Sequence, residues 1–234
     1  MLTGVLNKLF RYTTIDSNRF YVSGLLGKTS IKELFINKQH EPHVTKVLKN
    51  ITSVGDVVVD IGAFFGYYTV LSSKLVGNDG TVYSFEPSPY VYNILLKNIH
   101  LNQCRNVIPY CIALHDSISV KPVALSSYHG KTFGASIGVL PLDIFNIKPD
   151  IIKIDVEGAE FGVLRGMLRT VTSCNPDIVC EIHPRQLSNY GYNVGDIENY
   201  LKVVGYKSYL INSDGDLIKS PIMDDKTRHY LFRR

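Results

Sequence analysis

The chain has 234 residues, of which 45% are hydrophobic and 20% are charged. This is the composition of a globular protein, and it excludes intrinsic disorder and collagen-like or fibrous architectures. The 25 Lys and Arg residues against 21 Asp and Glu give a net charge of +4 that is spread along the chain, which argues against a nucleic-acid partner.

The N-terminal residues do not resemble a secretion signal. Lys8 and Arg11 interrupt the apolar residues after Met1 before they reach the length of a signal-peptide core. No run approaches the ~20 apolar residues that span a bilayer. The four cysteines form no CxxC pair and no zinc-finger spacing, which favours free thiols in a reducing compartment. We therefore expect a cytoplasmic protein without a transmembrane segment.

Two regions differ in their periodicity. Residues 1–50 are weakly periodic, and we expect an irregular or helical cap there, with a helix around His43–Leu48. In residues 51–234, short β-branched runs alternate with helical segments. Such alternation predicts right-handed βαβ crossovers and a doubly wound α/β fold around a mostly parallel sheet.

Seven strands are predicted for this sheet. They are Val57–Ile61, Thr81–Phe85, Val107–Cys111, Asp150–Ile154, Asp177–Ile182, Tyr206–Ile211 and His229–Phe232. The last two are too close for a helix between them, so an antiparallel last strand is expected, joined through the turn at Asp214-Gly215. Residues 118–140 favour a hairpin and a loop.

The first strand leads into a glycine turn, Gly62-Ala63-Phe64-Phe65-Gly66. Only one glycine precedes the three-residue gap, so the G-x-G-x-x-G pattern that binds a dinucleotide is missing. Gly62 and Gly66 let a ligand approach the backbone closely, and Asp60 offers a carboxylate to a cationic group. These properties favour S-adenosylmethionine, whose ammonium and sulfonium groups are cationic. A purely structural glycine turn is the alternative.

The second strand ends at Glu86, which Pro87 follows. A carboxylate there can accept hydrogen bonds from both hydroxyls of a ribose. NAD and S-adenosylmethionine share this ribose, so Glu86 predicts a nucleoside site without choosing the cofactor, and a solvated acid is the alternative. Ala113, after the third strand, is expected to flank an adenine ring.

The fourth strand is followed by several acids, in Lys153-Ile154-Asp155-Val156-Glu157-Gly158-Ala159-Glu160. Strand alternation sends Lys153 and Asp155 to one face. We expect Asp155 and Glu157 to belong to an active site. Glu160 is explained by the favourable position of an acid at a helix N-terminus.

The fifth strand ends in Glu181-Ile182-His183. His183 is a candidate general base, because the pKa of histidine lies near neutral pH. Asp155, Glu181 and His183 also form a possible set of metal ligands. A structural, hydrogen-bonded histidine is the alternative. We expect the remaining histidines to be surface or core residues: His40, His43, His100, His115, His129 and His229.

These motifs, in this order and spacing, closely resemble the FkbM family of methyltransferases from about Glu41 to the C-terminus. The resemblance implies a class I methyltransferase (Rossmann-like) fold and methyl transfer from S-adenosylmethionine, usually to a hydroxyl oxygen. The expected cofactor-binding residues are Asp60, Gly62, Ala63, Gly66, Thr69, Glu86, Pro87 and Ala113. The expected catalytic residues are His183, Asp155, Glu157 and Glu181. Phe64 and Phe65 replace a polar-aliphatic pair that is common in the family.

The expected acceptor is a sugar, a glycan or another small metabolite. One alternative is a tRNA or rRNA base methyltransferase, because Asn98–Asn102 is similar to helices of tRNA guanine methyltransferases; a basic stripe beside the cleft would favour it. Another is a non-catalytic S-adenosylmethionine-binding protein, whose cleft Phe64, Phe65 or the 126–138 loop would block. The glycine pattern argues against a nicotinamide dehydrogenase.

Overall fold

A computed structural model describes residues 12–22, 25, 39–124, 134–223 and 226–234. Within these ranges, eight strands form a central sheet and helices cover both of its faces. The doubly wound α/β fold predicted from the sequence is confirmed. None of the helices in these ranges has the length and apolar character needed to cross a membrane.

The described elements, numbered here in chain order, are short and regular. The strands are β1 (Tyr12–Ile15), β2 (Asn18–Tyr21), β3 (Val57–Ile61), β4 (Thr81–Phe85), β5 (Val107–Tyr110), β6 (Ala113–Leu114), β7 (Ser119–Ala124), β8 (Gly134–Leu140), β9 (Ile151–Ile154), β10 (Asp177–Ile182), β11 (Lys207–Ile211), β12 (Leu217–Lys219) and β13 (Arg228–Arg233). The α-helices are α1 (Pro42–Ile51), α2 (Tyr67–Val76), α3 (Pro89–Leu101), α4 (Glu160–Arg165), α5 (Leu168–Cys174), α6 (Pro184–Leu187) and α7 (Val194–Val203). Two 3-10 turns lie at Leu142–Phe145 and Ser188–Tyr190.

The strand order in the central sheet is β12-β11-β13-β10-β9-β3-β4-β5. The five strands from β10 to β5 are parallel, and β13 is antiparallel to both β10 and β11. The antiparallel last strand is thus confirmed. The chain passes from β3 outward to β5 and later returns to β9 on the other side of β3. The carboxyl ends of β3 and β9 therefore border the switch point at which such sheets bind ligands.

The sheet has one strand more than the seven predicted. The turn at Asp214-Gly215 joins β11 to the edge strand β12, not to the last strand as we expected. All three residues of β12 are exposed, so the strand carries no buried apolar pattern that would reveal it in the sequence. The hairpin predicted in residues 118–140 is confirmed by β7 and β8, and its tip at residues 125–133 lies outside the described residues.

Each face of the sheet packs on its own apolar cluster. Successive side chains of a strand point to opposite faces. On β3, Val58 packs in the same cluster as Val47 of α1 and Val70 of α2. Val59 belongs to the opposite cluster, which also holds Val163 of α4. Asp60, two residues after Val58, therefore points to the face that α2 covers.

The described N-terminal residues share this core. The helix expected around His43–Leu48 is confirmed as α1, whereas the β1–β2 hairpin was not anticipated. Ile15 and Phe20 of the hairpin are fully buried in the cluster that contains Val58. The predicted division of the chain at residue 50 stays a prediction. The described residues before it share one apolar cluster with the sheet.

Asn98 of α3 ties the hairpin to the sheet. Its side-chain amide donates to the carbonyl oxygens of Phe65, at 2.7 Å, and Tyr21, at 3.1 Å. Its side-chain oxygen accepts a hydrogen bond from the backbone N–H of Tyr21 at 2.6 Å. Asn98 is fully buried, so each of these backbone groups depends on it for its hydrogen bond.

We expect Asn98→Ala to lower the free energy of unfolding by about 2–4 kcal/mol, since three hydrogen bonds are lost and buried backbone groups are left unpaired. Urea unfolding followed by circular dichroism measures this change. Asn93→Ala is the matched control, because Asn93 is exposed on the same helix and bonds only within it. Equal stabilities of the two variants would contradict the role of Asn98.

Candidate active site at the strand ends

The turn after β3 is strongly constrained. Gly62, Phe64 and Gly66 all have left-handed backbone angles, with φ of +81°, +49° and +93°. The N–H groups of Gly62 and Ala63 both donate to the carbonyl oxygen of Phe85, at 2.9 and 3.0 Å. A Cβ atom at position 62 would collide with the carbonyl oxygen of Asp155 at the end of β9. The turn is therefore fixed between the ends of β4 and β9.

Asp60 and Thr69 lie beneath this turn. The Thr69 hydroxyl donates to the Asp60 carboxylate at 2.6 Å, and Thr69 and Asp60 are 0% and 1% exposed, respectively. Burial raises the pKa of Asp60, because desolvation opposes its charged form. We expected this carboxylate to face a cationic ligand, which stays a prediction; its described hydrogen-bond partner is the Thr69 hydroxyl.

Glu86 connects the end of β4 to the glycine turn. One carboxylate oxygen accepts the backbone N–H of Phe64 at 2.9 Å, and the other accepts the N–H of Ser88 at 2.8 Å. Only 7% of Glu86 is exposed. Pro87 follows at the same strand end, and Ala113 opens β6 beyond β5.

Lys153 and Asp155 form a largely buried ion pair. The Lys153 Nζ donates to the Asp155 carboxylate at 2.9 Å and lies 4.8 Å from the ring centre of Tyr68. Burial of Lys153 opposes its charge, but the carboxylates of Asp155 and Glu41 outweigh this effect and raise the pKa of Lys153. Burial of Asp155 raises its pKa, but the nearby ammonium of Lys153 has the larger effect. The pKa of Asp155 is therefore lowered.

His183 is oriented by Glu160, a residue for which the sequence indicated only a helix-end role. The Nδ1 of His183 lies 2.7 Å from a carboxylate oxygen of Glu160. The same oxygen also accepts a hydrogen bond from the N–H of Gly158 at 2.8 Å. An ionised carboxylate can only accept, so Nδ1 is the donor, and Nε2 lies 3.8 Å from Glu181. Burial disfavours protonated His183, yet Glu160 and Glu181 together raise its pKa.

The structure brings three of the four expected catalytic residues together. One ligating atom each of Asp155, Glu181 and His183 lies within 4.8 Å of the others, so the candidate metal set is also spatially compact. Glu157 is outside this set, exposed on the turn after β9 with a left-handed φ of +54°.

Two further residues, Glu41 and His229, were missed. The Nε2 of His229 lies 3.5 Å from the Glu41 carboxylate and 3.6 Å from the Glu181 carboxylate. Burial opposes protonation of His229, but these two carboxylates prevail and raise its pKa to about 9. The Tyr68 hydroxyl donates to Glu41 at 2.5 Å. We expected His229 to be a core or surface residue; it is buried, and it also lies beside the acids at the strand ends.

The direction of its strand could have predicted that His229 lies near the strand-end acids. An antiparallel strand begins at the edge where its parallel neighbours end, so the first residues of β13 reach the strand-end crevice. Glu181 and His229 are in fact direct partners in the β10–β13 register. Glu41 precedes α1 and gives no comparable signal, because the position of the N-terminal segment depends on tertiary packing.

The two phenylalanines of the glycine turn differ. Phe65 is 1% exposed and packs edge-on against Phe20 of the N-terminal hairpin, with ring centres 5.5 Å apart, so it belongs to the core and does not fill a cleft. Phe64 is partly buried against the same core cluster. Residues 126–133 of the loop expected to cover the cleft lie outside the described residues.

The sequence of the chain is similar to those of known methyltransferases. A family model described as the methyltransferase FkbM domain matches residues 60–208. Hexuronic acid methyltransferase AglP of Haloferax volcanii is 27% identical over 155 residues, which is 61% of this chain and 62% of AglP. The tRNA(Phe) (4-demethylwyosine(37)-C(7)) aminocarboxypropyltransferase of Methanocaldococcus jannaschii is 38% identical over 74 residues, covering 32% of this chain and 29% of that enzyme. The matches thus span less than two thirds of either relative.

Solved structures share the fold at low identity. Methyltransferase FkbM of Methylobacillus flagellatus superposes with a TM-score of 0.57 at 18% identity, over 76% of this chain and 43% of that one. Fibrillarin of Aeropyrum pernix, with natively bound S-adenosyl-L-methionine, has a TM-score of 0.50 at 15% identity, over 82% of this chain and 73% of that one. These likenesses establish a class I methyltransferase fold.

The glycine turn predicts a sharp contrast between two substitutions. Gly62→Ala should destabilise the protein by several kcal/mol more than Gly191→Ala, because both residues have positive φ but only Gly62 has no space for a Cβ atom. The strain common to both is about 1–2 kcal/mol. Thermal unfolding of the two variants measures the difference. Similar melting temperatures would show that the turn does not pack tightly on β9.

Proposed function

The chain belongs to the FkbM methyltransferase family, and we propose that it transfers a methyl group from S-adenosylmethionine to a hydroxyl oxygen of a small acceptor, first of all a saccharide. The observation that carries this proposal is the coupling of Glu86 to the glycine turn at the switch point of the sheet. The Phe64 N–H holds the Glu86 carboxylate beside the turn, where a nucleoside would meet both.

The choice of donor rests on charge and fold. The turn lacks the glycine pattern for a pyrophosphate, and the Glu86 carboxylate bonds to it, which suits a cationic ligand better than a polyphosphate. The fibrillarin structure of the same fold holds S-adenosyl-L-methionine. In this proposal Glu86 accepts the ribose hydroxyls, while Gly62, Ala63 and Gly66 form the surface for the methionine part.

The other expected cofactor residues have supporting roles in the proposal. Asp60 and Thr69 are buried, so they stabilise the turn from beneath and do not touch the ligand. Pro87 shapes the backbone after Glu86, and Ala113 borders the adenine.

The proposed reaction is a direct displacement at the methyl carbon. His183 Nε2 accepts the proton of the acceptor hydroxyl, the oxygen bonds to the methyl carbon, and the electron pair of the broken carbon–sulfur bond stays on sulfur as the thioether of S-adenosylhomocysteine. Asp155 is a second candidate for the base, but a weaker one, because Lys153 outweighs its burial and lowers its pKa. In this scheme, Asp155 and Glu181 orient His183 and the acceptor, and Glu157 contacts the acceptor from the exposed turn.

The acceptor class is supported by one relative and by the charge of the site. AglP is named a hexuronic acid methyltransferase, which makes saccharides the first acceptors to test. The partial match to the tRNA(Phe) aminocarboxypropyltransferase favours RNA as a second candidate. Against RNA, the described strand-end edge is rich in acids, which repel a phosphate backbone. These acids are Glu41, Glu86, Asp155, Glu157, Glu160 and Glu181. Radiolabelled methyl transfer to a saccharide panel and to tRNA distinguishes the two.

Glu86→Ala should weaken binding of S-adenosylmethionine about tenfold to a hundredfold, because hydrogen bonds to a charged group contribute about 1.5–3 kcal/mol. Isothermal titration calorimetry measures the dissociation constant. Asp79→Ala is the control, since it removes the same charge from an exposed position at the opposite end of β4. Unchanged binding by the Glu86 variant would contradict the assigned ribose contact.

His183→Gln should leave binding of S-adenosylmethionine unchanged and lower kcat for an identified acceptor by about 10²–10⁴-fold, the usual contribution of a general base. Substitution of an exposed histidine, His100→Gln, controls for charge and histidine content. A His183 variant with full kcat would eliminate this residue as the base, and parallel losses of binding and kcat would indicate a structural role.

A further inference from the structure

Three side chains that could bind a metal ion form a compact group. Only one of them, Glu181, is also among the residues proposed for methyl transfer. We call it the Glu41 cluster: Glu41 before α1, Glu181 at the end of β10, and His229 at the start of β13. One ligating atom of each lies within 4.8 Å of the other two. The three residues come from distant parts of the sequence, so only the folded chain creates the cluster.

The imidazole of His229 is aimed into the cluster without a hydrogen bond there. His229 is 9% exposed, and its Nε2 is buried with no hydrogen-bond partner among the described residues. The Nδ1 atom is occupied on the opposite side, 3.3 Å from Nε2 of His43. A histidine whose one nitrogen is held by a neighbour while the other faces carboxylates has the usual arrangement of a metal ligand.

The separations fit a metal ion better than direct hydrogen bonds. The His229 Nε2 lies 3.5 Å from the Glu41 oxygen and 3.6 Å from the Glu181 oxygen, both longer than the usual hydrogen-bond length of about 3 Å. Two ligands that are each about 2.1 Å from a tetrahedral ion lie about 3.4 Å apart. Small shifts would place both carboxylates and the imidazole around one ion.

We propose that Glu41, Glu181 and His229 bind a divalent transition-metal ion of the zinc or manganese class. Two carboxylates and a neutral imidazole carry a charge of −2, which matches the ion, and imidazole favours transition metals over magnesium or calcium. Three protein ligands leave a position open for water or a substrate oxygen. The side chains of Glu41 and Glu181 are 24% and 15% exposed, so the ion can be reached from the crevice.

The neighbouring set of Asp155, Glu181 and His183 is a weaker candidate. Asp155 is paired with the ammonium of Lys153 at 2.9 Å, and a cation next to a ligand repels a second cation. Lys153 also acts on Glu41 through space, but the direct partner of the Glu41 carboxylate is the neutral hydroxyl of Tyr68. The alternative to a bound metal ion is a protonated His229 that forms ion pairs with both carboxylates.

The test is direct metal titration of the full chain after removal of metals with EDTA and dialysis. We expect saturable binding of one Zn²⁺ or Mn²⁺ per chain by calorimetry, with proton release from His229. Affinity should fall at least about tenfold in Glu41→Gln and in His229→Gln, and stay unchanged in His100→Gln, which alters an exposed histidine. No saturable binding by the wild type, or equal affinities in all variants, would overturn the proposal.

A second readout separates lost binding from lost folding. The metal should raise the melting temperature of the wild type, because a ligand that binds only the folded state stabilises it. The Glu41→Gln protein should melt cooperatively without metal and show no such rise. A variant Asp155→Asn that loses the metal while Glu41→Gln keeps it would place the ion in the neighbouring set and refute the Glu41 cluster. These measurements need no methyl donor, so their failure is distinct from failure of the proposed methyl transfer.

Discussion

The close contact between the ends of β3 and β9 determines the geometry of the whole site. The backbone after β3 passes so near the carbonyl oxygen of Asp155 that only glycine fits at position 62. This fixes the course of the turn, which in turn aims the Phe64 N–H at the Glu86 carboxylate on the next strand. Three neighbouring strand ends, those of β9, β3 and β4, are thereby locked together.

Balanced charge is the second constraint on this edge. Three of the acids that are wholly or partly buried here have a basic partner within reach; the pairs are Asp155 with Lys153, Glu160 with His183, and Glu41 with His229. Loss of one partner would leave a buried charge uncompensated, which is more costly than never having the pair. The arrangement also raises the pKa values of both histidines, although their burial opposes this.

The sequence predicted the parts of the site that follow from parallel topology. Carboxyl ends of adjacent parallel strands meet at one edge, so the order of strands along the chain is enough to group Glu86, Asp155 and His183. Contacts that depend on tertiary packing were not accessible. Glu41 belongs to an N-terminal segment without regular periodicity. The position of His229 could have been predicted only from the antiparallel direction of the last strand. The inward orientation of Asp60 was also hidden, because a strand-end acid can face either Thr69 or the crevice.

The most direct test of the account is a crystal structure of the protein with S-adenosylhomocysteine. We predict the ribose hydroxyls within hydrogen-bond distance of Glu86, and the homocysteine part against the backbone of Gly62 and Ala63. The sulfur should face the side of the crevice that holds His183. A nucleoside bound elsewhere, without contact to Glu86, would contradict the proposed function of the strand-end site.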